Sequence, residues 1–347
     1  MTPSTRRPLT RTELSAVLAP LGGVVADRVL TGGLFASVQA AELTDGRTVV
    51  VKTGTPDDAA TQCLLTYERD LLRGEAFMLG HAGRAPGVPS PAVLLLDLDR
   101  AVVDVDVLVV EHLPGVAWEG VRAELDPSVD ARLGQGVGRV LAALHAVPLA
   151  DDGAVGPARF GYPADGFALG AGTWPEAVAL LVDAVLRDAD RWGVDVQAGA
   201  VLRAVGRAGE ALAEVVAPRL VHMDMWPGNV LVDAARGTVT GVVDFERGLF
   251  ADPLMDLVGA EPLNVGAPSP TLLAGYRSGG GTLPLDPAAG TVSGLTAAAD
   301  VRLALYRLYL NLIMTVETVP RAYDGAWVGP YLTSLAQGRA TLLAHLG

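Results

Sequence analysis

A chain of 347 residues, half of them apolar and 19% charged, is long enough for about two domains, or one domain of two lobes, around a sizeable core. Its formal charge of −13, from 26 basic and 39 acidic residues, argues against a nucleic-acid partner, because phosphate-backbone binding rests on clustered Lys and Arg. No apolar run reaches the roughly 18 residues of a membrane helix, since Asp104, Asp106 and Glu111 interrupt the longest candidate.

Near the start, Thr10-x-x-Glu13 reads as a capping box that opens a short helix, and Pro20 and Gly22–Gly23 break any signal-peptide pattern over 14–26. The lone Cys63 permits no internal disulfide, so a cytoplasmic protein is expected. From 24 to 53 the pattern is β: VVADRVL, ASVQAAEL and RTVVVKTG, the last two joined by Thr44-Asp45-Gly46, a strong hairpin signal. A glycine turn, Gly32–Gly33, lies between the first two runs. A helix is expected over 57–81, then two apolar strands over 92–97 and 105–111. Leu113-Pro114-Gly115 marks a loop. Beyond it, helical periodicity covers 129–147, 174–192, 199–215, 297–318 and 328–346, with another helix starting near 253. A β segment, RLVHMD, NVLVD and TVTGVVD, interrupts them between 219 and 244. The expected fold is α+β, with a small antiparallel lobe over 1–111 and a larger helical lobe over 112–347 that carries the 219–246 segment.

One residue stands out from composition alone. Lys52 is the single lysine, every other basic residue being arginine. The two cations are not interchangeable at a site that needs a compact ammonium. The densest polar run in an apolar setting is His222-Met223-Asp224-Met225-Trp226-Pro227-Gly228-Asn229, and a second hairpin ends at Asp244. Asp224, Asn229 and Asp244 all sit at strand ends, where a hairpin can converge them. An Asp, an Asn and a second Asp supply the hard oxygen ligands that Mg²⁺ prefers, with Asp224 left to orient or accept a hydroxyl proton.

The run HxDxxxxN, followed by the Asp of DFE, resembles the aminoglycoside phosphotransferase and choline kinase-like group, small-molecule kinases of protein-kinase-like bilobal fold. Val49-Val50-Val51-Lys52 resembles that group's lysine strand, and Glu75 in LLRGEAFML its helix partner. VLVVEHLPG is similar to the hinge between lobes, and VVDFERGLFADPLMDL to the segment that runs from the metal Asp into the next helix. The resemblance implies ATP and Mg²⁺ as cofactors and a small-molecule hydroxyl as acceptor. It gives Lys52 the α- and β-phosphates, with Glu75 holding it and Glu68 as the second candidate on the same helix face. Asn229 and Asp244 would hold Mg²⁺, and Asp224 would orient the acceptor. Gly32 and Gly33 would approach the phosphates, and the main chain of Val110 and His112 would meet the adenine edge.

Other polar residues read as structural: His222 as a buried histidine, Asp252 as an N-cap before Pro253, and Asp256 as a first-turn acid. Glu246 divides evenly between the site and a structural role. Met223 stands where the family usually has Gly and protein kinases have Arg. With DFE in place of DFG, this disfavours the alternative reading as a protein kinase. The presence of Lys52, Asp224, Asn229 and Asp244 together disfavours a pseudokinase scaffold. The net charge and the acids Glu246, Glu261, Glu317 and Asp324 are compatible with a cationic acceptor.

Overall fold

The computed structural model describes residues 8–30, 37–54, 64–147, 149, 159–291 and 293–347. Gly32, Gly33 and Cys63 lie outside them. Helix α1 (Arg11–Leu18) opens on the expected capping box, with the Thr10 N–H donating to Glu13 Oε2 at 2.7 Å. Strands β1 (Val24–Leu30), β2 (Ser37–Leu43), β3 (Thr48–Thr53), β4 (Val93–Asp97) and β5 (Val107–Glu111) form one antiparallel sheet in the order β1-β2-β3-β5-β4. The β2–β3 hairpin turns through Gly46 at φ +84°, a conformation that suits glycine. Alternation along the pleat then sorts the side chains. Val49, Val51, Val107 and Val109 pack under α1 with Leu14 and Leu18. Leu108 and Val110 face the larger apolar cluster instead. Lys52, directly opposite Leu108, shares that second face.

The helix expected over 57–81 is shorter where it is described. A 3₁₀ turn at Thr66–Glu68 precedes α2 (Leu71–Ala82). Between them Arg69 is extended and Asp70 is left-handed at φ 53°, ψ 37°, which ends any helical continuity. Glu68 and Glu75 therefore do not share a helix face. Helix α2 buries Leu72, Met78 and Leu79 in the same cluster as Leu220, Phe245 and Phe250, so apolar packing is continuous across residue 111.

The second part begins with β6 (Val116–Ala117), α3 (Trp118–Arg122), α4 (Pro127–His145), β7 (Phe160–Gly161), α5 (Ala164–Phe167) and β8 (Gly170–Ala171). Helices α6 (Trp174–Arg191), α7 (Ala198–Arg207) and α8 (Gly209–Ala213) follow; the helix expected over 199–215 breaks at Ala208, between Gly206 and Gly209. Next come β9 (Arg219–Val221), β10 (Val230–Asp233), β11 (Thr238–Val242) and β12 (Leu249–Ala251). The chain ends with α9 (Leu254–Ala260), α10 (Pro270–Ser278), α11 (Ala297–Val316) and α12 (Val328–His345). Two small sheets, β11-β10-β6 and β8-β7-β12-β9, hold the 219–251 segment in place. Helix α10, absent from the sequence reading, lies so close on α4 that a Cβ at Gly138 would strike the Leu272 carbonyl. Among the described residues, no helix is long and apolar enough to cross a membrane.

Candidate active site

Three elements far apart in sequence meet at Lys52. Its Nζ lies 2.6 Å from Glu75 Oε1 on α2 and 2.7 Å from Asp244 Oδ1, just past β11. Burial alone would lower the Lys52 pKa, but the Asp244 and Glu75 carboxylates outweigh it and hold the ammonium above its ordinary value. Burial likewise works to raise Asp244, and there the Lys52 charge wins and keeps the carboxylate below its usual range. Glu246 is different. Burial and then the Asp244 charge push it well above an ordinary carboxylate, so it holds a proton more readily than its neighbours. Glu75, Asp244 and Glu246 can each place one oxygen within 4.8 Å of the others. Glu75 Oε2 and Glu246 Oε1 are buried without a hydrogen-bond partner among the described residues. An all-oxygen donor set with orphaned buried oxygens fits a hard divalent cation.

The loop after β9 carries Asp224 and Asn229. The Asn229 amide donates to the Asp224 carbonyl at 2.8 Å and to Asp224 Oδ2 at 3.1 Å, which fixes the two residues together. The loop is anchored from α9: Asp256 accepts the backbone N–H of His222 at 3.1 Å and of Met223 at 2.7 Å. Asp256 also accepts His145 Nε2–H at 2.8 Å, and the Tyr276 hydroxyl donates to His145 Nδ1 at 2.8 Å. Met223 adopts φ 62° and Asp244 φ 71°, both left-handed. A Cβ at Gly259 of α9 would strike the Met223 carbonyl, so helix and loop are in backbone contact. The Pro227–Asn229 3₁₀ turn brings Gly228 under the Trp226 ring, where a Cβ would not fit.

His222 is structural, as read from sequence. A carbonyl can only accept, so its Nε2–H donates to Val243 O at 3.1 Å, and its Nδ1 accepts the Asp224 N–H at 3.2 Å. Burial lowers its pKa, in keeping with this neutral form. Asp252 caps α9 as expected: its carboxylate accepts the Leu254 N–H at 3.1 Å, with Pro253 already at helical φ/ψ after it, and it also pairs with Arg302 at 2.9 Å. Glu68 pairs with Arg321 rather than Lys52. The Asp70 break explains this, because it turns Glu68 away from the α2 face that carries Glu75. Val110 lies in β5 opposite Val50 and Val93, and His112 follows the strand end.

Arg247 was missed. Its Nη1 lies 3.7 Å from Asp224 Oδ1 and its Nη2 3.0 Å from Glu317 Oε2. Burial and the Asp244 charge raise the Asp224 pKa, and Arg247 opposes them. Its place three residues after Asp244 gave no periodic or spacing signal, because the contact forms across the fold.

An antiparallel sheet presenting a lysine to a helix glutamate, above a loop and hairpin that bring Asp224, Asn229 and Asp244 together, defines a bilobal, protein-kinase-like phosphotransferase fold. The family model "Phosphotransferase enzyme family" matches residues 31–290, and the chain belongs to that family. No curated protein sequence matches it. The fold is similar to the apo form of a thermostable mutant of aminoglycoside phosphotransferase APH(4)-Ia, at TM-score 0.62 and 17% identity, covering 97% of this chain and 98% of that one. It is also similar to a candidate fructosamine-3-kinase from Thermobifida fusca, at TM-score 0.60, 21% identity and 96% and 98% coverage. ADP-bound aminoglycoside phosphotransferase APH(2'')-Ib matches at TM-score 0.56, 14% identity and 96% and 99% coverage. At these identities the likeness is one of fold. The protein-kinase and scaffold alternatives find no support among these matches.

Proposed function

We propose that the chain transfers the γ-phosphoryl group of ATP to a hydroxyl of a small molecule in the cytoplasm, with Mg²⁺ as cofactor. The observation that carries this reading is the closure of Lys52 on both Glu75 and Asp244, with Asp224 and Asn229 locked beside them. Solved relatives of the fold add weight, since one mutant of APH(4)-Ia was captured with ADP and hygromycin B and another with AMP-PNP and hygromycin B.

Phosphoryl transfer passes through a loose transition state, so positioning and charge neutralisation carry the catalysis. Lys52, kept protonated and fixed by Glu75, would pair with the α- and β-phosphates. Gly32 and Gly33 would bring backbone N–H groups to them, and Val110 and His112 would meet the adenine by their main chain. Asp244 and Asn229, with Glu246 beside them, would hold Mg²⁺, which neutralises phosphate charge when bound. Asp224 would orient the acceptor hydroxyl in line with the γ-phosphorus and take its proton as the new O–P bond forms. The bond from the γ-phosphorus to the bridging oxygen breaks, and ADP leaves with that electron pair.

A coupled ADP-release assay over hydroxylated antibiotics, amino sugars and choline, run on the wild type and Asp224→Asn, tests the reading. Turnover of at least one acceptor is expected in the wild type and none in Asp224→Asn, with ATP affinity by calorimetry nearly unchanged. Loss of nucleotide binding in Asp224→Asn contradicts the assigned role.

A further inference from the structure

Two arginines of the C-terminal helices are buried without an acid. Buried guanidiniums elsewhere in the fold meet carboxylates: Arg302 pairs with Asp252 and Glu214, and Arg321 with Glu317 and Glu68. Arg307 on α11 and Arg339 on α12 are each 6% exposed and form no ion pair among the described residues. Arg339 Nη1 donates to Thr315 Oγ1 at 3.1 Å and to Asn311 Oδ1 at 3.4 Å, both neutral acceptors.

Arg307 has less. Its Nε and Nη2 are buried and donate to nothing among the described residues. These two nitrogens carry the parallel N–H bonds on one edge of the guanidinium, the fork that receives two oxygens of a carboxylate or phosphate. Burial lowers the Arg307 pKa, and the charges of Glu261 and Asp300 offset this only in part. Both acids are engaged elsewhere. Glu261 Oε2 takes the Asn264 amide and the Ser269 N–H, and Asp300 is held by the Ser293 hydroxyl and the His345 ring.

Arg307 lines a small cavity between α11, α12 and the segment after α9, together with Val265, Asn311, Ser334 and Gly338. No acid is among the described residues of its lining. Asn311 Nδ2 donates one hydrogen to Leu335 O at 2.9 Å and retains a second, while Ser334 stands at the exposed rim. Gly338 keeps the space open, since a Cβ there would lie 3.5 Å from Val265 Cγ1 and 3.6 Å from Asn311 Nδ2. A buried guanidinium is costly until an anion compensates it. Water can serve its N–H groups but leaves the charge.

We propose that this cavity binds a small oxoanion, a carboxylate or phosphoryl group whose two oxygens span Arg307 Nε and Nη2. It shares no lining residue with the Lys52 site and does not depend on the kinase reading. Entry of such a group displaces the outer wall, where Leu263 and Val265 are 54% and 40% exposed.

The test is calorimetry of the full chain with inorganic phosphate, sulfate, acetate and malonate at constant ionic strength. Excess ADP·Mg²⁺ keeps these anions from the nucleotide site, and hydrogen exchange locates the binding. At least one anion should bind once per chain and slow exchange of the amides at 263–265. Its affinity should fall at least about tenfold in Arg307→Met, which exchanges the charge for an apolar chain and keeps or improves stability. Gly338→Ala narrows the cavity while gaining helix propensity, so it should weaken binding in a folded chain. Preference for phosphate and sulfate upholds a phosphoryl site, and preference for acetate and malonate a carboxylate site. The proposal is overturned if none of the four slows exchange at 263–265. It is equally overturned if Arg307→Met or Gly338→Ala binds the same anion as tightly as the wild type.

Discussion

Asp256 Oδ1 accepts the backbone N–H of Met223 at 2.7 Å, so a fully buried carboxylate on α9 sets the path of the loop one residue before Asp224. Its second oxygen takes the His222 N–H and the His145 imidazole. Asp256→Asn leaves one oxygen where two were needed and places an amide N–H₂ against donors. Breaking such a buried set costs about 3 kcal/mol. The variant should unfold at correspondingly lower urea concentration, and its remaining folded fraction should lose kcat at least tenfold because Asp224 is no longer held. An unchanged kcat in folded Asp256→Asn contradicts the anchoring role.

Met223 poses a competition between backbone and side chain. Its left-handed φ of 62° costs a non-glycine residue roughly 1–2 kcal/mol, which Met223→Gly would recover. The same substitution empties a site where the methionine is 1% exposed, a loss of about 2–5 kcal/mol for removing such a side chain. The side chain should win. Denaturant unfolding is expected to show Met223→Gly destabilised by roughly 1–3 kcal/mol; a stabilised variant would show that strain dominates.

Glu246 gives the site a pH dependence with a defined sign. Burial and Asp244 raise its pKa, so the free site tends to keep a proton that a bound cation must expel. Raising the pH removes that competitor, and Mg·ATP affinity should therefore increase from about pH 6 to about pH 8. Calorimetry in buffers of different ionisation enthalpy should detect proton release on Mg·ATP binding, and Glu246→Gln should reduce it. Equal proton release in wild type and Glu246→Gln contradicts the assignment.

Much of this site was legible because its parts are local. The β3 alternation, the Asp45-Gly46 turn and the run from His222 to Asn229 each depend on neighbours within a few residues, and the described structure keeps them. The helix over 57–81 was drawn too long because nothing in the apolar spacing reveals that Asp70 turns left-handed. Arg247, the contacts by which Asp256 anchors the loop and the Glu68–Arg321 pair were invisible for a different reason. Their partners lie from 23 to 253 residues away, so only the packing of α2, α9 and α11 onto the loop brings them together. Glu246 could be named from its place beside Asp244, but its orphaned oxygen follows from burial.

Lys52 provides the most direct measurement, because a chain with one lysine gives one assignable label. Lys52 is 8% exposed, and its ammonium is protonated and gripped by Glu75 and Asp244, so untargeted amine reagents should favour the α-amino group of the chain. An acyl-phosphate derivative of ATP delivers its acyl group to whichever amine lies beside the phosphates. That probe should acylate Lys52, and excess ATP·Mg²⁺ should protect Lys52 while leaving the α-amino group unaffected. Lys52 labelled no faster than the terminus, or labelled without protection by ATP, would contradict the nucleotide site on which the whole account rests.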